Sequence, residues 1–516
     1  MENFKKLLAG RLCEAVQQRF GSAPCVLYME SDEGFSCDFD ILPLTPAIFS
    51  EIANGMNAAG IGCAFELDRF SGVYEDGNAE NRMLQRIYVT AYPTAEELEE
   101  YKKFVAEASK RDHKTLGSEL KLFSSSNEIG QGLILWHPKG AMIRYLIESF
   151  GQKAHILNGY EWVYTPHIGR AELWKTSGHL DFYKDSMYSP MVIDQEEYYL
   201  KPMNCPFHIN IYNSEIHSYR DLPVKYAEYG TVYRYELSGA LNGLTRVRGF
   251  TQDDAHIICT PDQIEGEVTA ALKFSLYMLR SFGLSKFQAY ISTKPKQKFV
   301  GGIRDWEMAT DVLKKAVLQT GLEYKIDEGG GAFYGPKIDL KLYDALNREW
   351  QCSTIQFDFN LPERFRMFYV GADGQHHTPY MVHRALFGSL ERFMALLIEH
   401  YRGDFPFWFT PKQLSIVPIQ ESHNSYAKRL SRELAALGLR VSADLSQDNM
   451  RSKIKRFQLE KIPYILVVGD REASSGSFAV RSRKNGDLGT MDIPGLLEYL
   501  KPLLEQGNPR CILEEE

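Results

Sequence analysis

The cysteines of this sequence lack the close spacing that a disulfide framework or a compact zinc site requires. Eight cysteines are scattered over 516 residues, and no two of them form a CxxC pair. Small disulfide scaffolds and zinc ribbons both depend on such clustering. Any metal site must therefore be assembled from segments that lie far apart in the chain.

Long apolar runs are also missing. No stretch reaches the roughly 18 to 20 apolar residues of a membrane span, and the amphipathic N-terminus MENFKKLLAGRLCEAVQQRF has no signal-peptide cleavage region. The sequence therefore predicts a cytoplasmic protein without a membrane partner. Its net charge of −8 gives no overall attraction to nucleic acid, so such a partner would need local basic patches.

What is present is an ordinary globular composition, with 44% hydrophobic and 24% charged residues, in a chain long enough for several domains. The apolar patterns and the breaks between them predict four segments. Residues 1–95 form a small α+β unit, and 96–130 form a connecting helix with Thr94 as its N-cap. Residues 131–408 form a large mixed unit, and 411–516 form an α/β domain in which strands and helices alternate.

A predicted antiparallel strand pair in the middle of the chain carries a chemical signal. The pattern predicts strands over 231–236 and 248–258, joined by a loop rich in Gly, Ser and Asn. Because alternate side chains share one strand face, the second strand would present a surface made of Arg248, Phe250, Gln252, Asp254 and His256. A solvated sheet face is one interpretation. A site that binds phosphate, a base and an amine fits these side chains better.

Six motifs occur in the order found in threonyl-tRNA synthetases, a family of class II aminoacyl-tRNA synthetases: PMNCPFH, SYRDLP, RVRGFTQDDAH, GAFYGPKID, EWQCSTIQFDF and HRALFGSLERF. The resemblance runs from about residue 34 to residue 500. It implies a catalytic domain with a mostly antiparallel sheet flanked by helices, followed by an α/β anticodon-binding domain. It also implies a homodimer formed through the first class motif, whose proline matches Pro166 in WVYTPHI.

The resemblance implies one zinc ion per chain, because the family's three protein ligands correspond to Cys205, His256 and His383. Considered alone, a buried cysteine is more often a small hydrophobic residue, and each histidine a hydrogen-bonded core residue. Three protein ligands leave zinc an open position, as in sites that bind substrate. In the family, the amino and hydroxyl groups of threonine complete the coordination.

The implied reaction joins threonine and ATP, with magnesium, into threonyl-adenylate and transfers the threonyl group to the 3′ end of threonine tRNA. Arg234, Arg392 and Lys337 correspond to catalytic positions, and the two arginines would neutralise phosphate charge. The residues implied for ATP binding are Arg234, Glu236, Arg246, Phe250, Gln351 and Arg392, and those implied for threonine are Met203, Gln252, Asp254, Tyr334 and Gln356. Gln351 and Gln356 have opposite strand parity, so both can face one site only if the strand contains a bulge.

Three positions depart from the family pattern within its site motifs. Phe207 replaces a glycine, Gly330 an acidic residue and Ser353 a glycine. A phenyl ring in place of glycine must find or fill space. A paralogue with altered amino-acid or inhibitor specificity is therefore an alternative function, and a tRNA-binding regulator without catalysis is a second one.

The N-terminal segment resembles a shortened editing domain, through GFSCDFD and SGVYEDGNAENRMLQRIYVTAYPT, and the family's ubiquitin-like domain is not recognised. The family's editing site uses histidines and a cysteine to hydrolyse seryl-tRNA. The first histidine of this chain is His113, so the segment is predicted to be a degenerate remnant without editing activity. In the last domain, Arg451, Lys453, Lys455 and Arg456 form a basic cluster suited to phosphate, although a solvated helix face would have the same composition.

Overall fold

The computed structural model describes residues 4–56, 63–75, 81–296 and 299–512, and the chain divides into two compact units, Met1–Lys110 and Arg111–Glu516. Residues 76–80, which belong to one of the motifs of the predicted editing remnant, lie outside the described part. None of the described helices combines the length and the hydropathy that a membrane span requires.

The first unit contains a four-stranded antiparallel sheet in the order β1-β2-β4-β3. Its strands are β1 (Cys25–Glu30), β2 (Gly34–Phe39), β3 (Ala64–Tyr74) and β4 (Met83–Tyr92), and its helices α1 (Phe4–Phe20) and α2 (Pro46–Gly55) share the core of the sheet. The sequence did not predict β3. It is an edge strand with charged residues such as Asp68 and Arg69, so the alternation that reveals a half-buried strand is weak there.

The predicted single connecting helix is wrong, because the segment forms two helices, α3 (Ala95–Arg111) and α4 (His113–Glu119). Asp112 separates them with a non-helical ψ of 125°, and its side chain accepts from the backbone N–H groups of Lys114 and Thr115. An aspartate in this role caps a new helix and ends continuity with the preceding one. The chain enters its second compact unit at this break.

The second unit is built around an eight-stranded sheet in the order β15-β14-β16-β17-β20-β13-β12-β7, in which five of the seven neighbouring pairs are antiparallel. This confirms the predicted mostly antiparallel sheet. The strands are β7 (Glu161–Trp162), β12 (Val224–Tyr233), β13 (Gly249–Cys259), β14 (Phe287–Ser292), β15 (Tyr324–Asp327), β16 (Lys337–Tyr343), β17 (Glu349–Asp358) and β20 (Tyr380–Ala385).

Helices cover this sheet and provide its core. The longest are α5 (Pro138–Leu157), α9 (Ile264–Ser281), α10 (Ile303–Gln319) and α12 (Leu390–Tyr401). Their apolar faces join the buried side chains of the central strands in one continuous cluster, which includes Ile147, Leu272, Leu313 and Phe393. Burying this large apolar surface is the main stabilising contribution to the unit. The opposite face of the central strands is left for polar side chains.

Shorter elements connect the main ones. The strands are β5 (Phe123–Ser124), β6 (Leu135–Trp136), β8 (Ile168–Arg170), β9 (Met191–Ile193), β10 (Glu196–Leu200), β11 (His217–Ser218), β18 (Tyr369–Val370) and β19 (His376–His377). The helices are α6 (Ala171–Thr176), α7 (His179–Phe182), α8 (Cys205–Tyr212) and α11 (Leu361–Arg364).

The predicted strand pair is present with different bounds. The first strand, β12, begins at Val224 and ends at Tyr233, so the predicted strand over 231–236 was placed too late. No residue of this strand is exposed, and the strand pairs with β13 along its whole length. The chain leaves the sheet after Arg234, because the Tyr235 amide donates to Ser186 and not to β13.

The last domain has a five-stranded sheet in the order β22-β21-β23-β24-β25, with the first three strands parallel. Its elements are β21 (Leu414–Pro418), α13 (Asn424–Ala436), β22 (Val441–Ala443), α14 (Met450–Leu459), β23 (Tyr464–Val468), α15 (Asp470–Ser475), β24 (Phe478–Ser482), β25 (Gly486–Met491) and α16 (Ile493–Glu505). The predicted alternation of three strands and two helices is confirmed, and the antiparallel pair β24 and β25 extends it.

Candidate active site

Two neighbouring cavities open on the polar face of the central sheet. The first has a volume of about 570 Å³ and the second about 400 Å³. Arg234, Gln252, Thr354 and Gly388 line both cavities. A ligand made of two parts could therefore occupy both, with its joint near Arg234.

The three predicted metal ligands come together in the second cavity. His256 on β13 and His383 on β20 are direct partners in the antiparallel register, and Cys205 begins helix α8 above them. The ligand atoms of the three side chains all lie within 4.8 Å of one another, and all three residues are buried. Strand register therefore brings together residues that no sequence spacing relates.

Outer contacts orient both histidine rings toward the common point. Nε2 of His256 and Nδ1 of His383 lie 3.0 Å apart and face each other. The remaining nitrogen of His383 lies 2.7 Å from Asp358 Oδ2, and that of His256 lies 2.7 Å from His208 Nδ1. His208 in turn contacts Glu228 at 3.1 Å. Metal-binding histidines usually have such partners, which fix the ring orientation.

The donor set fits zinc. One thiolate and two imidazoles are ligands that zinc prefers at about 2.0 to 2.3 Å in a tetrahedral arrangement. Burial, with His208 and His383 nearby, lowers the pKa of His256 well below its ordinary value and keeps it neutral, as metal binding requires. Burial raises the pKa of the Cys205 thiol well above its ordinary value. A bound metal ion would deprotonate this thiol.

All residues predicted to bind threonine line the second cavity, together with Arg234 and Lys337. They are Met203, Gln252, Asp254, Tyr334 and Gln356. The Tyr334 hydroxyl donates to Gln356 Oε1 at 2.6 Å, and Lys337 pairs with Asp339 at 2.7 Å. Asp254 accepts from Asn204 at 2.9 Å, and burial raises the pKa of this carboxyl. A cationic ligand group beside Asp254 would favour its ionised form.

All residues predicted to bind ATP line the first cavity, namely Arg234, Glu236, Arg246, Phe250, Gln351 and Arg392. The Arg234 guanidinium lies 5.0 Å from the Phe250 ring centroid, and Arg246 pairs with Glu236 at 2.9 Å. Nε of Arg392 is buried and has no hydrogen-bond partner among the described residues. A buried guanidinium nitrogen without a partner suits an anionic ligand.

A β-bulge allows both glutamines of β17 to face the cavities. In the pairing with β16, Ser353 lies opposite Leu340 and Gln351 lies opposite Lys341, so Cys352 is the extra residue. This residue reverses the parity, and Gln351 lines the first cavity while Gln356 lines the second. Arg248 does not follow the predicted face, because its guanidinium donates to the Glu236 carbonyl and to Ser238 outside both cavities.

The departures from the family pattern lie behind the cavity walls. Phe207 packs against Trp174 at 5.8 Å between ring centroids and beneath the Lys201 ammonium at 5.6 Å. Ser353 is fully buried, and its hydroxyl donates to the Leu386 carbonyl. A Cβ at Gly330 would lie 1.8 Å from Asp327, so this position is closely packed. Phe207 and Ser353 line neither cavity.

Several site residues were not predicted from the sequence. Thr354 and Tyr183 line the second cavity, and His208 and Asp358 contact His256 and His383. His208 and Asp358 both lie within the quoted motifs PMNCPFH and EWQCSTIQFDF. Their place inside these motifs could have marked His208 and Asp358 as site residues. The histidine that each of them contacts could not be predicted from one sequence.

Only some side chains of the basic cluster in the last domain are exposed. Lys453 is buried with its ammonium donating to the Asp444 carbonyl, and Arg456 pairs with Asp444 and Asp448. Arg451 and Lys455 are exposed on helix α14, four residues apart. Two of the four predicted phosphate contacts therefore have structural roles in the domain itself.

Comparisons with known proteins agree with this geometry. Residues 189–401 match the family "tRNA synthetase class II core domain (G, H, P, S and T)", and residues 413–503 match "Anticodon binding domain". The chain is similar to "Threonine--tRNA ligase" of Aquifex aeolicus, with 51% identity over 455 residues, covering 88% of this chain and 71% of the relative. It is also similar to "Threonine--tRNA ligase" of Borreliella afzelii, with 52% identity over 437 residues, covering 85% and 75%.

Among solved structures, a similar one is described as the RNA binding domain of threonyl-tRNA synthetase from Cryptosporidium parvum. It superposes with a TM-score of 0.73 and 40% sequence identity, covering 76% of this chain and 98% of that one.

Proposed function

The chain belongs to the threonine–tRNA ligase family of class II aminoacyl-tRNA synthetases, and from this premise we propose that it activates threonine with ATP and transfers it to threonine tRNA. One observation carries the proposal. Two adjoining cavities meet at Arg234, and one contains three metal-ligand side chains while the other contains the unpartnered Nε of Arg392. This is the arrangement that an amino acid and a nucleotide need in order to react.

We propose that Cys205, His256 and His383 hold one zinc ion per chain. When bound, zinc would supply a Lewis acid with an open position for the amino and hydroxyl groups of threonine. Asp254 would pair with the amino group, and Tyr334 with Gln356 would close the wall around the side chain. An amino acid without the hydroxyl, such as valine, would leave polar groups unpaired and be rejected strongly.

For activation, Arg234 would hold the carboxylate of threonine and the α-phosphate of ATP where the cavities meet. Arg392 and Arg246 would neutralise the outer phosphates, and magnesium accompanies ATP in this class. Phe250, with Arg234 over one face, would stack on adenine, and Glu236 would accept from its amino group. Preorganised cations of this kind stabilise the charge that develops in the transition state. Lys337 would contribute a further positive charge.

Threonine-dependent exchange of pyrophosphate into ATP tests the proposal. We expect exchange with threonine and none with valine, followed by charging of threonine tRNA. Replacing Cys205 with alanine should remove zinc and exchange together, because the substrate loses its metal ligand. Exchange with another amino acid but not with threonine would contradict the proposed substrate and favour the altered paralogue. Absence of exchange with every amino acid, in a zinc-loaded preparation, would favour a non-catalytic regulator.

We also propose that the enzyme is a homodimer formed around the segment that carries Pro166. Tyr145 and Ile156 are exposed on helix α5, and their separation of three helical turns puts them on one face. Tyr164, two residues before Pro166, is 80% exposed. Large apolar residues exposed in this way favour a covered surface. Replacing Tyr164 with aspartate should shift the sedimentation coefficient to that of a monomer, and an unchanged value would contradict this interface.

Finally, we propose that the domain boundaries follow the predicted order and that the first unit does not edit. The two family matches fall within the predicted ranges 131–408 and 411–516. The absence of histidine before His113 supports the loss of editing, because hydrolysis in the family depends on imidazole groups.

A further inference from the structure

The loop between strands β12 and β13 carries Arg246 into the first cavity. Asn242 and Thr245 of this loop line the same cavity, so the loop forms one of its walls. At the tip of the loop, Asn242 and Arg246 form an isolated antiparallel bridge. The position of Arg246 therefore depends on what fixes residues 242 to 246.

One of the contacts that hold this loop comes from a buried imidazole. The Leu244 amide donates to Nε2 of His113 at 3.1 Å, and His113 is only 2% exposed. On the other side of the ring, Nδ1 lies 2.6 Å from Glu399 Oε1. Because Nε2 accepts from an amide, Nδ1 must carry the proton and donate to Glu399. His113 is thus held as one tautomer by two different elements.

Glu399 connects the imidazole to helix α12, which carries Arg392 into the first cavity. It lies on helix α12, which also carries Arg392, and its second oxygen pairs with Arg348 at 2.5 Å. Glu399 Oε1 additionally accepts from the backbone amide of His113. A chain of two hydrogen bonds therefore connects the helix of Arg392 to the loop of Arg246.

The loop approaches the ring so closely that a side chain could not be inserted. A Cβ at Gly243 would lie 2.1 Å from Nε2 of His113, and Gly243 has a φ of +50°. Glycine is the residue that tolerates both conditions. Beside it, Leu244 is fully buried, and Lys114 donates to Asn242 at 3.2 Å. The contact is therefore a tight and specific one.

We propose that His113 is a positioning residue for ATP, which holds the loop of Arg246 in register with helix α12. The inference rests on the proposed function, because it assigns the first cavity to the nucleotide. A cation site formed by Asp112, His113 and Glu399 is the alternative, since their ligand atoms lie within 4.8 Å of one another. Ligand atoms of these three side chains already accept, however, from the amides of Lys114, Thr115 and Leu244 and from Arg348.

Two substitutions separate the two sides of the ring. Asparagine in His113→Asn places an amide near Nδ1, so it keeps the donor to Glu399 and removes the acceptor for Leu244. Glutamine in His113→Gln extends its oxygen toward Nε2, so it keeps the acceptor for Leu244, while Glu399 retains Arg348. A matched control is His423→Gln in the last domain. In that domain the Gln420 amide donates to Nδ1 of His423, and Asp470 contacts Nε2. Glutamine therefore removes the acceptor of a backbone amide in a domain that does not line the first cavity.

Pyrophosphate exchange and amide hydrogen exchange should be measured on all four proteins, with inorganic pyrophosphate, ATP with magnesium, and threonine as the ligands. We expect His113→Asn to raise KM for ATP about tenfold, as one lost hydrogen bond would, with KM for threonine unchanged. Exchange of the amides of residues 242 to 246 should accelerate in the same variant. His113→Gln and His423→Gln should resemble the wild type in both measurements.

Equal increases in both KM values, or equal effects of His113→Asn and His113→Gln, would overturn the proposal and indicate a general packing role. Loop amides that exchange at the wild-type rate in His113→Asn would also overturn it. Failure of the proposed function would look different, because the wild-type protein itself would then show no exchange of pyrophosphate into ATP.

Discussion

Asp358 Oδ2 lies 2.7 Å from Nε2 of His383, and both side chains are buried. The other oxygen of Asp358 accepts from the amides of Asn360 and Leu361. One carboxylate thus contacts a ring and accepts from the two amides at the start of helix α11. Replacing it with asparagine keeps an oxygen for the two amides and puts a neutral amide against His383.

We expect Asp358→Asn to weaken zinc binding by about 10- to 100-fold, because outer partners of a metal-binding histidine fix its tautomer and its basicity. Competition with a chromophoric chelator, at equal protein concentration, measures this affinity directly. The thermal unfolding midpoint of the metal-free protein serves as the control for the two hydrogen bonds to the amides of Asn360 and Leu361. An unchanged zinc affinity would show that the pair is not needed for metal binding.

Substitution of Arg392 tests whether the first cavity binds the phosphates of ATP. Its Nε is buried without a partner in the described residues, and the helix start at Ser389 lies beside it. Replacing it with lysine retains the charge and loses the planar set of donors that phosphate recognition uses. We expect kcat/KM for ATP to fall about 100-fold in Arg392→Lys, the size seen when one preorganised donor is lost.

The comparison variant for Arg392→Lys is Arg429→Lys, because Arg429 forms an exposed pair with Glu433 on α13 and is far from the cavity in the sequence. It should keep the wild-type kcat/KM. If Arg392→Lys also kept it, the guanidinium would have no specific role in ATP binding.

The sequence predicted which residues line the two cavities more completely than it predicted the surrounding fold. The alternate residues of one strand predicted that Phe250, Gln252, Asp254 and His256 share a face, and the side chains line the two cavities in that order. The metal ligands required the family resemblance, because the register of β13 against β20 brings His256 to His383. No local pattern encodes this register.

Two structural features explain the wrong expectations. The predicted continuous helix ends at Asp112, whose carboxylate caps a second helix, and helical periodicity continues across the break. Lys453 was predicted to be an exposed phosphate contact. It is buried instead, and its ammonium group donates to the Asp444 carbonyl. Burial depends on packing with distant segments, so the charge pattern of one helix could not reveal it.

We expect His155 to make the second unit sensitive to acid. Its Nδ1–H donates to the Gly151 carbonyl at 2.6 Å, and its Nε2 accepts from Arg384 at 2.9 Å. Burial, and next the charge of Arg384, lowers the pKa of His155 well below its ordinary value. The folded protein therefore keeps this ring neutral, whereas the unfolded chain binds a proton below about pH 6.5.

The stability that depends on neutral His155 is present above about pH 6.5 and is lost as the pH falls further. Between about pH 7.5 and 5.0, the free energy of unfolding should fall progressively through this group, because the unfolded chain takes up a proton that the folded protein does not. His155→Gln, which keeps an acceptor for Arg384, should remove that part of the pH dependence. Thermal unfolding midpoints of the two proteins across this range measure it, and parallel curves would contradict the assignment.

Within the basic cluster, we propose that Arg451 and Lys455 contact tRNA. Both are exposed on one face of helix α14. We expect the double substitution to alanine to raise KM for tRNA in charging. The salt dependence should also weaken, by about one unit of log–log slope for each phosphate that the protein no longer binds. Pyrophosphate exchange should stay unchanged, because it does not need tRNA.

The matched control for this double substitution is Arg429→Ala with Arg432→Ala, which removes the same charge from helix α13 of the same domain. Equal loss of charging in both pairs would indicate a general effect of net charge. A loss of pyrophosphate exchange would place the effect in the catalytic unit.

Serine keeps the amino and hydroxyl groups of threonine and lacks one methyl. A missing methyl changes binding by roughly 1 to 3 kcal/mol, so selection in the second cavity alone should be about 10- to 200-fold. With no histidine before His113, the first unit should not remove the error. We expect the enzyme to make measurable seryl-tRNA, and supplied seryl-tRNA should decay at the rate seen without protein. Rapid deacylation would contradict the loss of editing.

The selection between serine and threonine should not depend on Phe207, because its ring packs on Trp174 behind the cavity wall. In Phe207→Gly, the thermal midpoint should fall, since removing a packed ring leaves a cavity. The ratio of serine to threonine exchange should stay at the wild-type value in the same variant. A ratio that moves toward serine would show instead that Phe207 sharpens the pocket, and the wild-type enzyme would then reject serine before any transfer to tRNA.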